Sequence, residues 1–512
     1  MEEKSGKRLS FVHDPGAIFL FPPNLRPGER KISAEALEQT VEIVVANGAD
    51  RFISEIYGKV AWYPSEVCSP GEHLKWFESF FGKEARSPWV QFAAEGNDFI
   101  RILCDKIHEK GAEYWLSYRL NDHHWNTFQV TAQNADATHV SRFYMEHQDL
   151  RIGEEQGNFV WTKYLLDMQY PAVREYKLAM IEELIRNYDI DGFIVDFLRT
   201  PALFNQHTTT EKKRREIVLD FLGRIRAMLD RKTERTGKKY PFGVKIPLTM
   251  GFYSNLGIDI KAFGEIGVDT FYLFDYFNVV QDYQALDEVR KQCPQSQAIL
   301  EMGHVTTWFR NLSPEKPRSM RLATKEQFQT TAYVAYKHGA AGVSLFNFPW
   351  YLSQTENDRS YDPPFELFPI LKDPSALSRM PQHYFEAATE NKMANSSDLE
   401  AVVWNPGDRH SFQKEMCSPA GGWKHDGILR LESLEIVQEL DFEVLFNGVR
   451  LPKTVVCEEP YETPYRNLLG TPENWLAFSI PKEIFREGGN TVEICNRSDR
   501  VVRFYYIDVS VS

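Results

Sequence analysis

The feature that most constrains this chain is an alternation. Before residue 380, short β-branched and aromatic runs are followed about eight times by helix-length segments whose apolar residues recur three and four apart. The strand-like runs are 9–13, 51–57, 113–120, 192–198, 243–249, 268–275, 297–302 and 342–346, and the clearest helical stretches are 34–47, 98–110, 172–188, 211–236 and 325–338. Parallel neighbours need a long crossover between them, usually a helix, so repeated strand–helix units imply a parallel sheet. Eight such units close into an α/β barrel of the TIM type, (β/α)8, which accounts for 1–380. Asn47-Gly48 and His338-Gly339 end helices and Tyr170-Pro171 opens one. After about residue 395 the pattern changes to alternating strands separated by turns such as Asn447-Gly448 and Gly488-Gly489-Asn490, which predicts an all-β sandwich over 395–512. The junction falls within 372–397.

Composition narrows the function classes. The 512 residues carry 59 basic and 72 acidic side chains, a net charge of −13, so a general phosphate-backbone binder is excluded and no nucleic-acid partner is expected. No apolar run approaches the roughly 18 residues of a membrane span, and no basic start precedes an apolar signal core. These features predict a soluble protein, either cytoplasmic or exported with its leader removed, and no membrane partner. The six cysteines are scattered, with no C-x-x-C pair, so neither a disulfide framework nor a structural zinc site is expected. Oligomeric state is left open, a homodimer included.

Dinucleotide, P-loop, nucleophile-elbow and zinc-helix signatures are absent, and no cofactor or metal is expected. What remains is a set of polar residues at the C-terminal ends of the strands, where this fold keeps its chemistry. Asp14 follows the first strand in Val12-His13-Asp14-Pro15-Gly16, which is also strong turn chemistry. The third strand runs out into Arg119-Leu120-Asn121-Asp122-His123-His124-Trp125 and a long loop, offering a cation, an amide and an imidazole to one pocket. The competing reading is a solvated loop with an Arg119–Asp122 ion pair; a histidine metal site lacks a third ligand at short spacing. Asp196 and Arg199 close the fourth strand, Asp275 the sixth, Glu301 and His304 the seventh, and Asn347 the eighth. Asp196 with Glu301 or Asp275 would form a carboxylate pair for ordinary glycoside hydrolysis.

Asp14 after the first strand, the run Arg119-Leu120-Asn121-Asp122-His123-His124, and Asn347 after the eighth together resemble the exo-α-sialidases of glycoside hydrolase family 156. A wider set of barrel-plus-sandwich relatives shares R-x-N-D-x-H. The resemblance implies inverting, single-displacement hydrolysis of terminal α-sialosides, with Asp14 as base and His124 as acid. It implies Arg119 and Arg199 as clamps for the substrate carboxylate, and Asn121 and Asn347 as partners for hydroxyl or N-acyl groups. The pairing makes chemical sense. A sialoside bears a carboxylate on its anomeric carbon, and a carboxyl acid beside the leaving oxygen would meet like-charge repulsion that an imidazolium avoids. Histidine, with an ordinary pKa of about 6.5, keeps a protonated fraction near neutrality. A planar guanidinium matches a carboxylate bidentately. The sialidase propeller is not a competitor, since no S-x-D-x-G-x-x-W repeat occurs. Two rivals stand beside this reading: a neutral-glycoside hydrolase using the Asp196 carboxylate pair, and a catalytically silent carbohydrate-binding protein.

Overall fold

The computed structural model describes residues 7–21, 24, 31–122, 130–131, 140–156, 162–198, 202–275, 277–313, 316–353, 363–387, 402–433, 435–455 and 472–512. The barrel strands are β1 (Arg8–His13), β2 (Arg51–Tyr57), β3 (Glu113–Arg119), β4 (Gly192–Asp196), β5 (Phe242–Pro247), β6 (Thr270–Phe274) and β7 (Gln297–Met302). After an antiparallel hairpin of β8 (Val305–Ser313) and β9 (Lys316–Leu322), β10 (Gly342–Phe346) completes the set. The barrel is closed in the order β1-β10-β7-β6-β5-β4-β3-β2, as the alternation predicts. Every strand boundary lies within two residues of its sequence expectation. The hairpin and the helices Pro70–Phe81 and Pro88–Ala94 were not anticipated.

Two compact units are distinguished by their contacts. The first comprises Arg8–Tyr276 and Gln284–Glu301; the second includes Phe277–Tyr283 and Met302–Ser512. In the first, β2 and β5 are buried along their whole length, which is why their sequences read as near-continuous apolar runs. The charged residues inside those runs therefore face a packed interior. Register then sets the layer that matters: Tyr57 lies opposite Arg119, Arg119 opposite Asp196, and Asp196 opposite Lys245 across β2, β3, β4 and β5. The surrounding helices start where side chains satisfy their first N–H groups. Ser33, Ser69, Asp98 and Thr210 each accept from a backbone N–H three residues on, and Pro171 opens the helix Pro171–Asn187.

In the second unit, the helix Lys325–Lys337 begins with a capping box made by Thr324 and Gln327. The C-terminal part forms two antiparallel sheets. The larger orders Gln382–Ala387, Val502–Val511, Gly427–Ser433, Trp475–Ile480 and Lys453–Thr454, with Val402–Trp404 also paired to Val502–Val511. The smaller orders Arg409–Met416, Gly488–Asn496, Phe442–Phe446 and Val449–Arg450. Phe442 of one sheet meets Phe504 of the other at 5.2 Å between ring centres, so the sheets share an apolar interior as a sandwich does. Asn447 and Gly448 have φ of 52° and 80°, the paired positive values of a type I′ hairpin turn that the dipeptide signals. The larger sheet takes an outer strand from Gln382–Ala387, inside the junction segment.

Candidate active site

At the exit of β1 the carboxyl group of Asp14 does two jobs. It caps the 3-10 helix Pro15–Leu20 by accepting from Gly16 N–H at 3.1 Å, so the turn reading of Asp-Pro-Gly holds. It is also buried in the first unit, where Tyr57 Oη donates to Oδ1 at 2.6 Å and Arg119 Nη2 lies 3.4 Å from Oδ2.

Arg119 is the hub of this region. Its guanidinium lies over the Tyr57 ring, with Nε 3.2 Å from Glu55 and 3.8 Å from Asp196, and Nη1 3.3 Å from Asp122. Burial disfavours its charge, but Glu55, Tyr57, Asp14 and Asp122 overcome that and hold it firmly protonated. The Arg119–Asp122 ion pair is thus present, though buried rather than solvated. The planar fork that could hold a substrate carboxylate is surrounded by carboxyl groups of the protein itself.

Lys245 is the second cation. Its Nζ lies 2.7 Å from Glu55, 2.8 Å from Glu301 and 4.0 Å from Asp196. Burial works against the ammonium, yet Glu301, Glu55 and Asp196 keep it charged. Among the described residues, five carboxyl groups, on Asp14, Glu55, Asp122, Asp196 and Glu301, therefore lie around these two cations. Burial acts most visibly on Asp196. Burial, with the negative charge of Glu55 adding to it, pushes the carboxyl up to about 8 against the pull of Lys245 and Arg119. Asp196 is then protonated at neutral pH.

Both rival carboxyl groups, Asp196 and Glu301, flank Lys245; Asp275 is buried just beyond β6. Asn121 is buried, and its amide nitrogen donates to the carbonyls of Leu166 at 2.8 Å and Ala202 at 2.9 Å. It thereby ties the exit of β3 to two later loop segments. Below it, buried Lys177 donates to the Leu120 carbonyl; burial, aided by Lys59 and opposed by Asp122, brings its ammonium down to about 7. His124 and Arg199 lie outside the described residues.

In the second unit, Asn347 ends β10 in the left-handed region at φ 53°, a conformation that asparagine adopts more readily than most residues. Its Oδ1 is buried with no hydrogen-bond partner among the described residues. His304 is also buried, with neither ring nitrogen partnered there, and burial lowers its pKa to about 3. It stays neutral at any working pH.

Sequence reasoning missed Glu55, Tyr57, Lys177 and Lys245. A signal existed for two of them: Glu55 in Arg51–Tyr57 and Lys245 in Phe242–Pro247 are charged residues inside apolar strands, costly unless partnered. No group of three or more His, Cys, Asp or Glu side chains arranged to hold a metal ion occurs among the described residues. None of their helices is long and apolar enough to cross a membrane.

No protein-family model and no curated protein matches this sequence. Solved structures similar to it include the chitinase ChiA74 from Bacillus thuringiensis, at 8% identity and a TM-score of 0.42, covering 98% of this chain and 100% of that one. The glycoside hydrolase domain of PgaB (BpsB) from Bordetella bronchiseptica aligns at 12% identity and 0.41, covering 67% and 94%. Catalytic domain 2 of the Ostrinia furnacalis Group II chitinase aligns at 7% and 0.40, covering 71% and 96%. At this level of likeness, the chemistry of the barrel mouth rests on its own residues.

Proposed function

We propose that this chain is a glycoside hydrolase, and specifically an exo-α-sialidase that inverts configuration in a single displacement. The observation that carries this reading is the setting of Asp14: a carboxyl group at a barrel strand exit, buried, and fixed by Arg119, Tyr57 and the Gly16 N–H. A general base needs a defined position and its charged form, and the nearby guanidinium favours both. In the proposed step, His124 donates a proton to the glycosidic oxygen as its bond to the anomeric carbon breaks. Water attacks that carbon from the opposite face and gives its proton to Asp14. Arg119 then serves to hold the base, and the clamp for the substrate carboxylate falls to Arg199. A proton on Asp196 removes one negative charge from the mouth, which favours an anionic substrate.

One observation favours the second reading. A carboxyl group protonated at neutral pH, as Asp196 is, has the form a general acid needs, here with Glu301 on a neutral glycoside. Turnover of an aryl α-sialoside and of a panel of neutral aryl glycosides separates the two. The sialidase reading predicts release from the sialoside alone, lost in His124→Ala. Release from a neutral glycoside, lost in Asp196→Asn, would replace it, and binding of sialyllactose with no release would make the chain a lectin-like protein.

A further inference from the structure

Tyr57 ends β2 and is buried, and its ring is held among other rings of the first unit. Trp62 lies edge-on to it at 4.6 Å, Trp89 stacks on Trp62 at 5.6 Å with the planes 7° apart, and Phe99 continues the series 5.3 Å from Trp89. The Arg119 guanidinium lies over the phenol itself, 4.7 Å from its centre. Aromatic and cation–ring contacts fix the orientation of a ring as well as burying it, so the hydroxyl is aimed by its surroundings.

That hydroxyl donates to Asp14 Oδ1 at 2.6 Å, the length expected between a hydroxyl and an ionised carboxylate. Gly16 N–H donates to the same oxygen at 3.1 Å, so both lone pairs of Oδ1 are engaged. Arg119 approaches the other oxygen, Oδ2. The two bonds to Oδ1 set the plane of the carboxylate, and a proton taken from water goes to Oδ2. A hydrogen bond donated to the charged form also favours that form, so the carboxylate persists to lower pH than it would without the phenol.

We propose that Tyr57 is the positioning residue of Asp14, and that its hydroxyl makes Oδ2 the proton acceptor and sets the lower pH limit of turnover. This rests on the reading of Asp14 as the base and adds the group that tunes it. Water loses a proton to Oδ2 as its oxygen bonds to the anomeric carbon, and the leaving oxygen takes the proton of His124. Among the described residues, the other charged or titratable groups next to Asp14 and Arg119 are His13 on β1, Glu55 on β2, Asp122 after β3 and Asp196 on β4. His13 is neutral, its pKa lowered to about 4 by burial against the pull of Asp14. The segments Pro15–Leu20 and Gly342–Phe346 contain no titratable side chain. Tyr57→Phe leaves all of these groups in place, so its effect on the pH dependence isolates the lost bond.

The test compares wild type with Tyr57→Phe, which keeps the ring and removes one oxygen. The pH profile of kcat on an aryl α-sialoside is measured beside the titration of the Asp14 carboxyl itself. That titration is followed by carbon NMR of the full chain labelled at aspartate Cγ, with the signal assigned by Asp14→Asn. Loss of one hydrogen bond to a charged group should move the acid limb and the Asp14 titration upwards together, by about one pH unit. On the plateau kcat should fall about tenfold with KM unchanged. A residue with only a packing role would lower the melting temperature and move neither titration. The proposal is overturned if the Asp14 carboxyl titrates alike in both proteins, or if the acid limb of an active enzyme stays in place. If wild type releases no sialic acid, the hydrolytic reading fails on its own, and a shifted Asp14 titration still assigns the hold on that carboxyl to Tyr57.

Discussion

Two buried charge clusters among the described residues are built on opposite principles. In the sandwich, cations and carboxylates match. Arg430 grips Asp508 with two bonds of 3.0 and 2.5 Å, His383 adds a third contact at 3.0 Å, and Arg321 of the β8–β9 hairpin lies 2.5 Å from Glu432 of the larger sheet. Burial would raise the Asp508 carboxyl, but Arg430 and the hydrogen bond from His383 hold it well below the usual carboxylate range. In the barrel, five carboxyl groups among the described residues share Arg119 and Lys245, and burial holds the Asp196 carboxyl well above its ordinary range. A matched cluster locks a structure, whereas an unmatched one leaves groups whose protonation is poised near working pH. Such groups are what catalysis uses.

The sharpest way to break this contrast is to remove the base. Asp14→Asn keeps the size and the Gly16 contact of the side chain but removes its charge. It should lower sialoside turnover by about 10²–10⁴, the usual contribution of a general base, with an unchanged circular dichroism spectrum. Near-normal turnover would mean that the barrel cluster is structural like the other.

Stability measurements should show that both clusters nevertheless depend on their cations. Lys245→Met removes the ammonium shared by Glu55 and Glu301 in the barrel interior, and Arg430→Met removes the guanidinium that grips Asp508 in the sandwich. Each should cost about 3–5 kcal/mol in urea unfolding, because a buried charge loses its partner. A loss below about 1 kcal/mol in either would show that water reaches that cluster.

The clusters should then differ in the sign of their pH dependence. Asp196 rises from an ordinary 3.8 to about 8 on folding, so between those values the unfolded chain has lost a proton that the folded chain keeps. Its contribution is complete below pH 3.8 and is lost as pH rises towards 8. Asp508 is shifted downwards, so its contribution is present above its ordinary 3.8 and is lost as pH falls. Melting of Asp196→Asn should therefore show a flatter decline as pH rises between about 4 and 8, and Asp508→Asn a flatter decline as pH falls below about 4. The same limb changing in both variants would refute the contrast.

The smallest expected effect concerns Asn121. Asn121→Ala leaves the Leu166 and Ala202 carbonyls without their donor and should cost about 1–3 kcal/mol. If instead stability is unchanged while KM rises, Asn121 contacts substrate as the family resemblance implies.

Much of this fold was legible because its signals are local. The strands Arg51–Tyr57, Gln297–Met302 and Gly342–Phe346 and the helix Glu211–Thr236 follow directly from apolar spacing. The Asn447-Gly448 turn follows from the backbone conformation its residues permit. Asp14 was legible from its place after a strand. The cluster was not, because Glu55 and Lys245 are 190 positions apart and only barrel closure brings them together. The commitment of Arg119 to Glu55 and Asp14 was hidden for the same reason, since local sequence offered only Asp122. The hairpin β8–β9 escaped notice because it sits inside a loop region, where a barrel pattern predicts no strand.

The most direct test of the account is proton NMR of an α-sialoside with the purified protein, recorded before the released sugar mutarotates. A buried Asp14 that activates water predicts the β-anomer of sialic acid as the first product. First appearance of the α-anomer would require a covalent nucleophile on the protein and would contradict the role assigned to Asp14.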